Sequence, residues 1–436
     1  MEHEEESGAS RYFDAPHVHL NLNVRGLGQS ATLAINEQSA ELQRQGQKVY
    51  RLGLGQSPFP VPEHVAEALR RNAHQKDYLA VKGLPALREA ISGFYQRTEG
   101  LEYKPENILV GPGTKELMFI IQLVYYGDLV IPTPSWVSYA PQAHIIGRHI
   151  RWLPTDPNTG LGVTPEALEE HCRIDPDRPR LLILNYPGNP TGVAYSEEQL
   201  QAIARVARRY RVLVLSDEIY SGTRFDGEHV SIARYYPEGT IISNGLSKWC
   251  GAGGWRLGAF AFPSSLRWLL DGMASVASET FTSTSAPIQY AGVTGFQGGP
   301  EMEDYLDRSR RVLRSLSGFF GARLREAGAD VTPSQGGFYL FPNFSPLRQN
   351  LEKRGIRTSS QMCRQLLDDT GVAILPGSSF GRPAGELSAR LAYVDFDGAA
   401  AIGALPQTGD PDEAFLRQYC GNVVEAAERL CEWVSG

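Results

Sequence analysis

Lys248 stands in a run of mostly small residues, Ser243-Asn244-Gly245-Leu246-Ser247-Lys248-Trp249-Cys250-Gly251-Ala252-Gly253-Gly254-Trp255-Arg256, between two apolar β-like stretches at 240–242 and 257–262. An ammonium at the end of a buried strand loses hydration, so it must find a partner or give up its proton. Desolvation and neighbouring cations lower a lysine pKa, and the neutral amine that results attacks carbonyl carbons. A lysine in a solvated loop would need none of this. What gives Lys248 its meaning is the set of groups placed elsewhere in the chain.

Gly111-Pro112-Gly113-Thr114-Lys115 follows the apolar run 108–110 and opens an apolar helical stretch. Free amides at a helix start, with a hydroxyl and an amine beside them, make a seat for phosphate, although an ordinary tight turn would use the same glycines. The stretch is no Walker loop, and Glu116 occupies the third glycine position of a Gly-x-Gly-x-x-Gly loop. Asp217 ends the apolar run 212–216, where its carboxylate would emerge from a sheet. It is suited either to a protonated pyridine nitrogen or to a helix cap. Trp136 has a face for stacking on a flat ring or for core packing. Asn189, in Pro187-Gly188-Asn189-Pro190-Thr191-Gly192, and Tyr220 both suit a phenolic oxygen, turn chemistry being the other explanation for Asn189. Arg256 and Arg390 are forked donors for phosphate and carboxylate, or members of solvated ion pairs. A phosphate, a flat ring with a basic nitrogen and a phenolic oxygen, and an aldehyde for the lysine together describe pyridoxal phosphate.

In these motifs the chain resembles the class I/II aminotransferases of pyridoxal-phosphate fold type I, the aspartate aminotransferase superfamily. The matching segments are 55–60, 78–88, 113–115, 134–139, 185–192, 217–220, 247–256 and 336–339 with Arg390, spread over nearly the whole chain. The resemblance implies that Lys248 holds the cofactor aldehyde as an imine and then moves the substrate α-proton. It implies that Asp217 faces the pyridine nitrogen, that Asn189 and Tyr220 contact the phenolic oxygen, and that Trp136 stacks on the ring. Gly113, Thr114, Lys115, Ser247 and Arg256 would seat the phosphate. Tyr78 would reach the phosphate of a neighbouring subunit, which implies a homodimer with shared sites. Gly55 and Arg390 would take the substrate α-carboxylate.

The activity so implied moves an amino group between an amino acid and a 2-oxo acid through pyridoxamine phosphate. The competing reading on the same fold is elimination, replacement, cyclisation or oxidation at Cα or Cγ. A third, a cofactor-binding regulator with a fused DNA-binding domain, finds no room in the short arm before residue 16. The chain departs from the family pattern in three places. Gly55-Gln56-Ser57-Pro58-Phe59 stands for Gly-x-Pro-Asp-Phe, and Ala252-Gly253 stands where Met precedes Gly-Trp-Arg. No arginine lies between Arg267 and Arg308, the interval that supplies a side-chain carboxylate clamp in dicarboxylate enzymes. Narrow aspartate specificity is therefore not implied, with Lys82 as a candidate substitute for the missing clamp.

The elements that must position these groups are read from periodicity. Apolar runs at 108–110, 129–131, 181–184 and 212–217 alternate with helical stretches such as 197–209. That pattern predicts an α/β fold whose mostly parallel sheet is covered by helices on both faces, with the ligand crevice beyond the strands' carboxyl ends. A helix over 301–326 is followed by short strands at 330–332, 337–341, 372–375 and 389–394, an exposed connection over 395–411 and a closing helix over 412–433. These predict a smaller α+β domain. The expected division is a flexible acidic arm (1–15), an N-terminal segment packing with the small domain (16–64), a large cofactor-binding domain (65–325) and the small domain (326–436). Helices are also predicted over 30–45, 62–72 and 85–95, and a strand over 49–54.

Composition limits the rest. The 436 residues carry a formal charge of -7, which argues against a general nucleic-acid surface. No apolar run reaches membrane-spanning length, and Met1-Glu2-His3-Glu4-Glu5-Glu6 is the reverse of a signal peptide. Cys172, Cys250, Cys363, Cys420 and Cys431 form no Cys-x-x-Cys pair, and read as reduced thiols of a cytoplasmic protein without a metal site. Cys250 is read as a packing residue.

Overall fold

The computed structural model describes residues 21–25, 31–157 and 160–436. The acidic arm expected over 1–15 lies outside them. The chain runs through α1 (Ala31–Arg44), β1 (Tyr50–Arg51), α2 (Glu63–Asn72), α3 (Pro85–Glu99), β2 (Ile108–Gly111), α4 (Thr114–Val124), β3 (Asp128–Thr133), α5 (Tyr139–Ile145) and β4 (Ile150–Pro154). It continues through α6 (Pro165–Arg173), β5 (Arg180–Asn185), α7 (Glu197–Arg209), β6 (Leu213–Asp217), β7 (Thr240–Gly245), β8 (Gly258–Ala261), α8 (Arg267–Thr280), α9 (Ala286–Gln297) and α10 (Pro300–Glu326). Last come β9 (Tyr339–Leu340), α11 (Arg348–Lys353), α12 (Ser359–Thr370), β10 (Val372–Ala373), β11 (Leu375–Pro376), β12 (Ala389–Ala392), α13 (Gly398–Ala404), α14 (Glu413–Tyr419) and α15 (Gly421–Ser435).

The central sheet has the order β2-β8-β7-β6-β5-β3-β4. Strands β7, β6, β5, β3 and β4 are parallel, and β8 runs antiparallel between β2 and β7. Alternate side chains of each strand feed opposite cores, which is why the sequence shows continuous apolar runs instead of alternation. Leu129, Ile131, Leu181, Ile183, Leu213 and Leu215 pack on one face with Leu117, Ile121 and Met273 from α4 and α8. Val130, Leu182, Leu184 and Val214 pack on the other with Leu168, Leu200 and Ile203 from α6 and α7. Ser196 and Gln199 close a reciprocal capping box at the start of α7, which sets that boundary where the sequence predicts it.

The smaller α+β part is built on the antiparallel sheet β11-β12-β9, backed by α10, α12 and α15. Strand β1 pairs in parallel with β10, so the N-terminal segment is tied to chain more than three hundred residues away. This register matters for the site, because Tyr339 on β9 lies opposite Ala392 while Arg390 on β12 lies opposite Leu375.

Several predicted elements differ. The strand expected over 330–332 is a single bridge, Asp330 to Asn343. The strand over 49–54 shortens to the two residues of β1. The connection over 395–411 holds the Ala-rich α13, whose first amides are capped by the Asp397 carboxylate. The closing helix is two helices, α14 and α15, divided at Cys420.

Candidate active site

The predicted groups converge because each follows the carboxyl end of a strand. Gly113 and Thr114 follow β2, Trp136 follows β3, Asn189 follows β5, Asp217 ends β6, and Ser247 and Lys248 follow β7. Leu54, Gly55, Gln56, Thr114, Lys115, Trp136, Tyr139, Asn185, Asn189, Asp217, Ile219, Tyr220, Ser247, Lys248, Gly253 and Arg256 line one cavity of about 390 Å³. It lies in the crevice expected for a sheet of this topology.

At its floor, Asp217 is buried, and its Oδ2 accepts a 2.6 Å hydrogen bond from the Tyr139 hydroxyl. Its Oδ1 accepts from Ser243 Oγ at 3.2 Å, and β7 delivers Ser243 opposite Asp217 in register. Burial pushes the carboxyl up to about 6, while the hydrogen bonds from Tyr139 and Ser243 act the other way. Among the described residues no cation lies within ion-pair distance of it. A buried carboxylate in that state lacks a positive partner, and a protonated ring nitrogen would supply one.

Lys248 Nζ donates to the Gly55 carbonyl at 2.6 Å and sits 5.6 Å from the Tyr220 and Phe338 ring centres. Burial brings its pKa down to about 8, helped by the Arg390 and Arg256 cations, with Asp217 opposing. The turn that carries it is pinned by the next residue. Trp249 is buried, stacks on Phe94 at 5.9 Å and donates from Nε1 to Asn244 Oδ1 at 3.1 Å.

The phosphate seat is equally tight. Gly113 has φ 89°, and a Cβ there would fall 2.3 Å from Arg256 Nη2. A Cβ on Gly258 would meet the Thr114 amide nitrogen at 2.4 Å. Arg256 itself is held in the left-handed region at φ 56°, a strain of about 1 kcal/mol or more that persists only where surroundings impose it. Lys115 Nζ lies 5.4 Å from the Trp136 ring centre, and burial together with Arg256 lowers its pKa. Lys115 has no carboxylate partner among the described residues. These cations, the desolvated amine and the unpartnered carboxylate fit the phosphate, aldehyde and ring nitrogen of pyridoxal phosphate.

A family model for aminotransferase class I and II matches residues 47–394. The chain belongs to that family. The aspartate aminotransferase of Geobacillus stearothermophilus is 35% identical to this aminotransferase, over 86% of this chain and 94% of that protein. The asparagine–oxo-acid transaminase of Streptococcus mutans is 30% identical over 86% and 94%. Among solved structures, the Thermus thermophilus aspartate aminotransferase with maleate superimposes at a TM-score of 0.81 and 29% identity, covering 95% of this chain and 99% of that one. The chain is thus a pyridoxal-phosphate-dependent transaminase, and the relatives favour transamination over elimination, replacement, cyclisation or oxidation.

Three predicted residues of this aminotransferase do not line the cavity: Gly113, whose backbone lies against the Arg256 guanidinium, Tyr78 and Arg390. Tyr78 lies on the connector between α2 and α3 and is 91% exposed. Arg390 is buried behind Asn189, donating from Nη1 to Asn189 Oδ1 at 3.1 Å and from Nη2 to the Gly53 carbonyl, with Nε unpartnered. Lys82, the candidate clamp substitute, is instead held by Asp271 at 2.6 Å and lies outside the cavity. Sequence reasoning missed Tyr139, Ser243 and Tyr339 as site residues. Tyr139 and Tyr339 end segments that match the family, 134–139 and 336–339, and that was the available signal. Ser243 had none, because only strand register places it beside Asp217.

Proposed function

We propose that this aminotransferase exchanges amino groups between dicarboxylic amino acids and 2-oxo acids, using Lys248 as its proton carrier. The observation that carries the reading is that a desolvated amine and a buried carboxylate open on one cavity with no ionic partner among the described residues. When bound, pyridoxal phosphate supplies an aldehyde carbon and a ring that withdraws electron density from the substrate α-carbon. The Asp217 carboxylate, oriented by Tyr139 and Ser243, keeps the ring nitrogen protonated. Tyr220 and Asn189 address the phenolic oxygen, and Trp136 covers the ring. The Thr114 amide and hydroxyl, Lys115, Ser247 and Arg256, with Gly113 giving them room, hold the phosphate. Lys248 Nζ, poised near neutrality, takes the α-proton and gives it back. Arg390 offers its unpartnered Nε to the α-carboxylate beside Gly55.

The relatives named for aspartate, and the solved neighbour with maleate, support a second carboxylate on the substrate. We also propose a homodimer in which Tyr78, exposed in its own protomer, completes the partner's phosphate seat. The expected domain division, 16–64, 65–325 and 326–436, stands as part of this reading. We place the enzyme in the cytoplasm because its five cysteines are free, four of them buried. The test is a half-reaction. Aspartate alone should convert bound cofactor to pyridoxamine phosphate at far lower concentration than alanine does, and equal response to both would refute the dicarboxylate preference.

A further inference from the structure

The Tyr339 hydroxyl lies at the meeting point of groups that come from five separate parts of the chain. It is 2.8 Å from the Tyr220 hydroxyl, and Asn189 Nδ2 donates to it at 3.4 Å. It also lies 3.5 Å from the Gly55 carbonyl, the same oxygen that holds Lys248 Nζ and a competing, longer acceptor for its single proton. The Arg390 guanidinium stacks on its ring at 4.8 Å. The residue is fully buried, so this hydroxyl has no access to bulk water. The closeness is built into the backbone, since a Cβ on Gly55 would fall 2.0 Å from the Tyr339 oxygen. Tyr339 and Arg390 sit on paired strands of the small sheet, whereas Tyr220, Asn189 and Lys248 lie in segments that follow strands of the large one.

We infer that Tyr339 is a positioning residue that acts through Tyr220: its hydroxyl donates to the Tyr220 oxygen, leaving the Tyr220 proton for the cofactor's phenolic oxygen. A buried phenol has one proton to give, and the 2.8 Å pair allows either order. Once the phenolic oxygen claims the Tyr220 proton, only Tyr339 remains as donor within the pair. Hydrogen bonds in series polarise one another in a low-dielectric site, so a donor behind Tyr220 makes Tyr220 a stronger donor in front. The charged groups facing the pair are Arg390, Asp217 and Lys248. None of them can take over this role, because Arg390 donates to Asn189 and Gly53, Lys248 donates to Gly55, and Asp217 only accepts. The arrangement also joins β9, the strand paired with the one that carries the α-carboxylate arginine, to the cofactor's oxygen through two hydroxyls in series.

The inference rests on the proposed placement of Tyr220 at the phenolic oxygen, and a double-variant spectroscopic titration separates the two. The visible absorption of the holoenzyme changes with pH as the cofactor's linkage to lysine loses its proton. A phenolic oxygen held by a strong donor keeps its negative charge and releases that proton at lower pH. Tyr339→Phe should raise the midpoint by about half a unit to one unit, a three- to tenfold change in proton affinity, the size expected for one hydrogen bond. Tyr220→Phe should raise it further, and adding Tyr339→Phe to Tyr220→Phe should change nothing more. An unshifted midpoint in Tyr339→Phe, or an equal shift in both backgrounds, overturns the role given to Tyr339. An unshifted midpoint in Tyr220→Phe refutes instead the placement of Tyr220. Should Tyr339→Phe fail to fold, 3-fluorotyrosine at position 339 gives a more acidic donor and should lower the midpoint; no change or a rise would equally overturn the inference.

Discussion

Replacing Asp217 with asparagine should make the cofactor-free enzyme more stable while making it a poorer holder of cofactor. The carboxyl is lifted from its ordinary value of 3.8 to about 6, chiefly by burial. At 1.36 kcal/mol per unit, that rise of about 2 units corresponds to roughly 3 kcal/mol of folding free energy lost when the group is charged. The sign follows from the raised value. The contribution is intact at pH values below the unfolded carboxyl's pKa and is lost as pH rises through about 6. An amide carries no such burden and still accepts the Tyr139 hydrogen bond, with the Ser243 hydroxyl free to turn and accept from its NH2. Urea denaturation of the cofactor-free proteins should therefore show Asp217→Asn gaining about 1–3 kcal/mol over wild type at pH 8, shrinking toward zero near pH 4. The same variant should lose cofactor more readily on dialysis, because the ring nitrogen has lost its anion. A variant no more stable than wild type at pH 8, or a difference independent of pH, would refute the picture of a desolvated carboxylate awaiting a cation.

Other perturbations test separate parts of the site. Lys248→Ala should retain cofactor through the phosphate seat yet show negligible turnover, measured by coupled assay. Arg390→Ala should lower kcat/KM for the amino acid by roughly a hundredfold, the worth of about 3 kcal/mol of charge-assisted hydrogen bonding, mainly through KM. Lys115→Gln should release cofactor more readily on dialysis than wild type, because the phosphate seat loses one of its two cations. Refolding Lys248→Ala chains with equal amounts of Tyr78→Ala chains should restore about a quarter of wild-type activity, since half the mixed dimers' sites are then intact. No gain on mixing would refute the shared site.

The reach of the sequence followed the physics of each signal. Lys248, Asp217, Asn189, Trp136 and the Gly113 turn were readable because each follows an apolar run, and a parallel sheet sends all such ends to one crevice. Helix α7 was readable to the residue because Ser196 and Gln199 cap it locally. Contacts set by register were not. Ser243 meets Asp217 only because β7 pairs with β6 at that offset. Tyr339 reaches Tyr220 across 119 residues. Helix α13 hid in a Gly/Ala/Pro-rich stretch whose composition reads as a connection, and its formation rests on the Asp397 cap and the buried Ala401. The short strands of the small sheet were overextended in prediction, since apolar runs such as 337–341 continue past the hydrogen-bonded residues.

The central claim is that Lys248 is the amine that meets the cofactor. Borohydride reduction of the holoenzyme, proteolysis and mass mapping test it directly. The pyridoxyl mass should appear on the peptide bearing Lys248 and nowhere else. Its appearance on Lys115, Lys82 or another lysine, with Lys248 unmodified, would contradict the account.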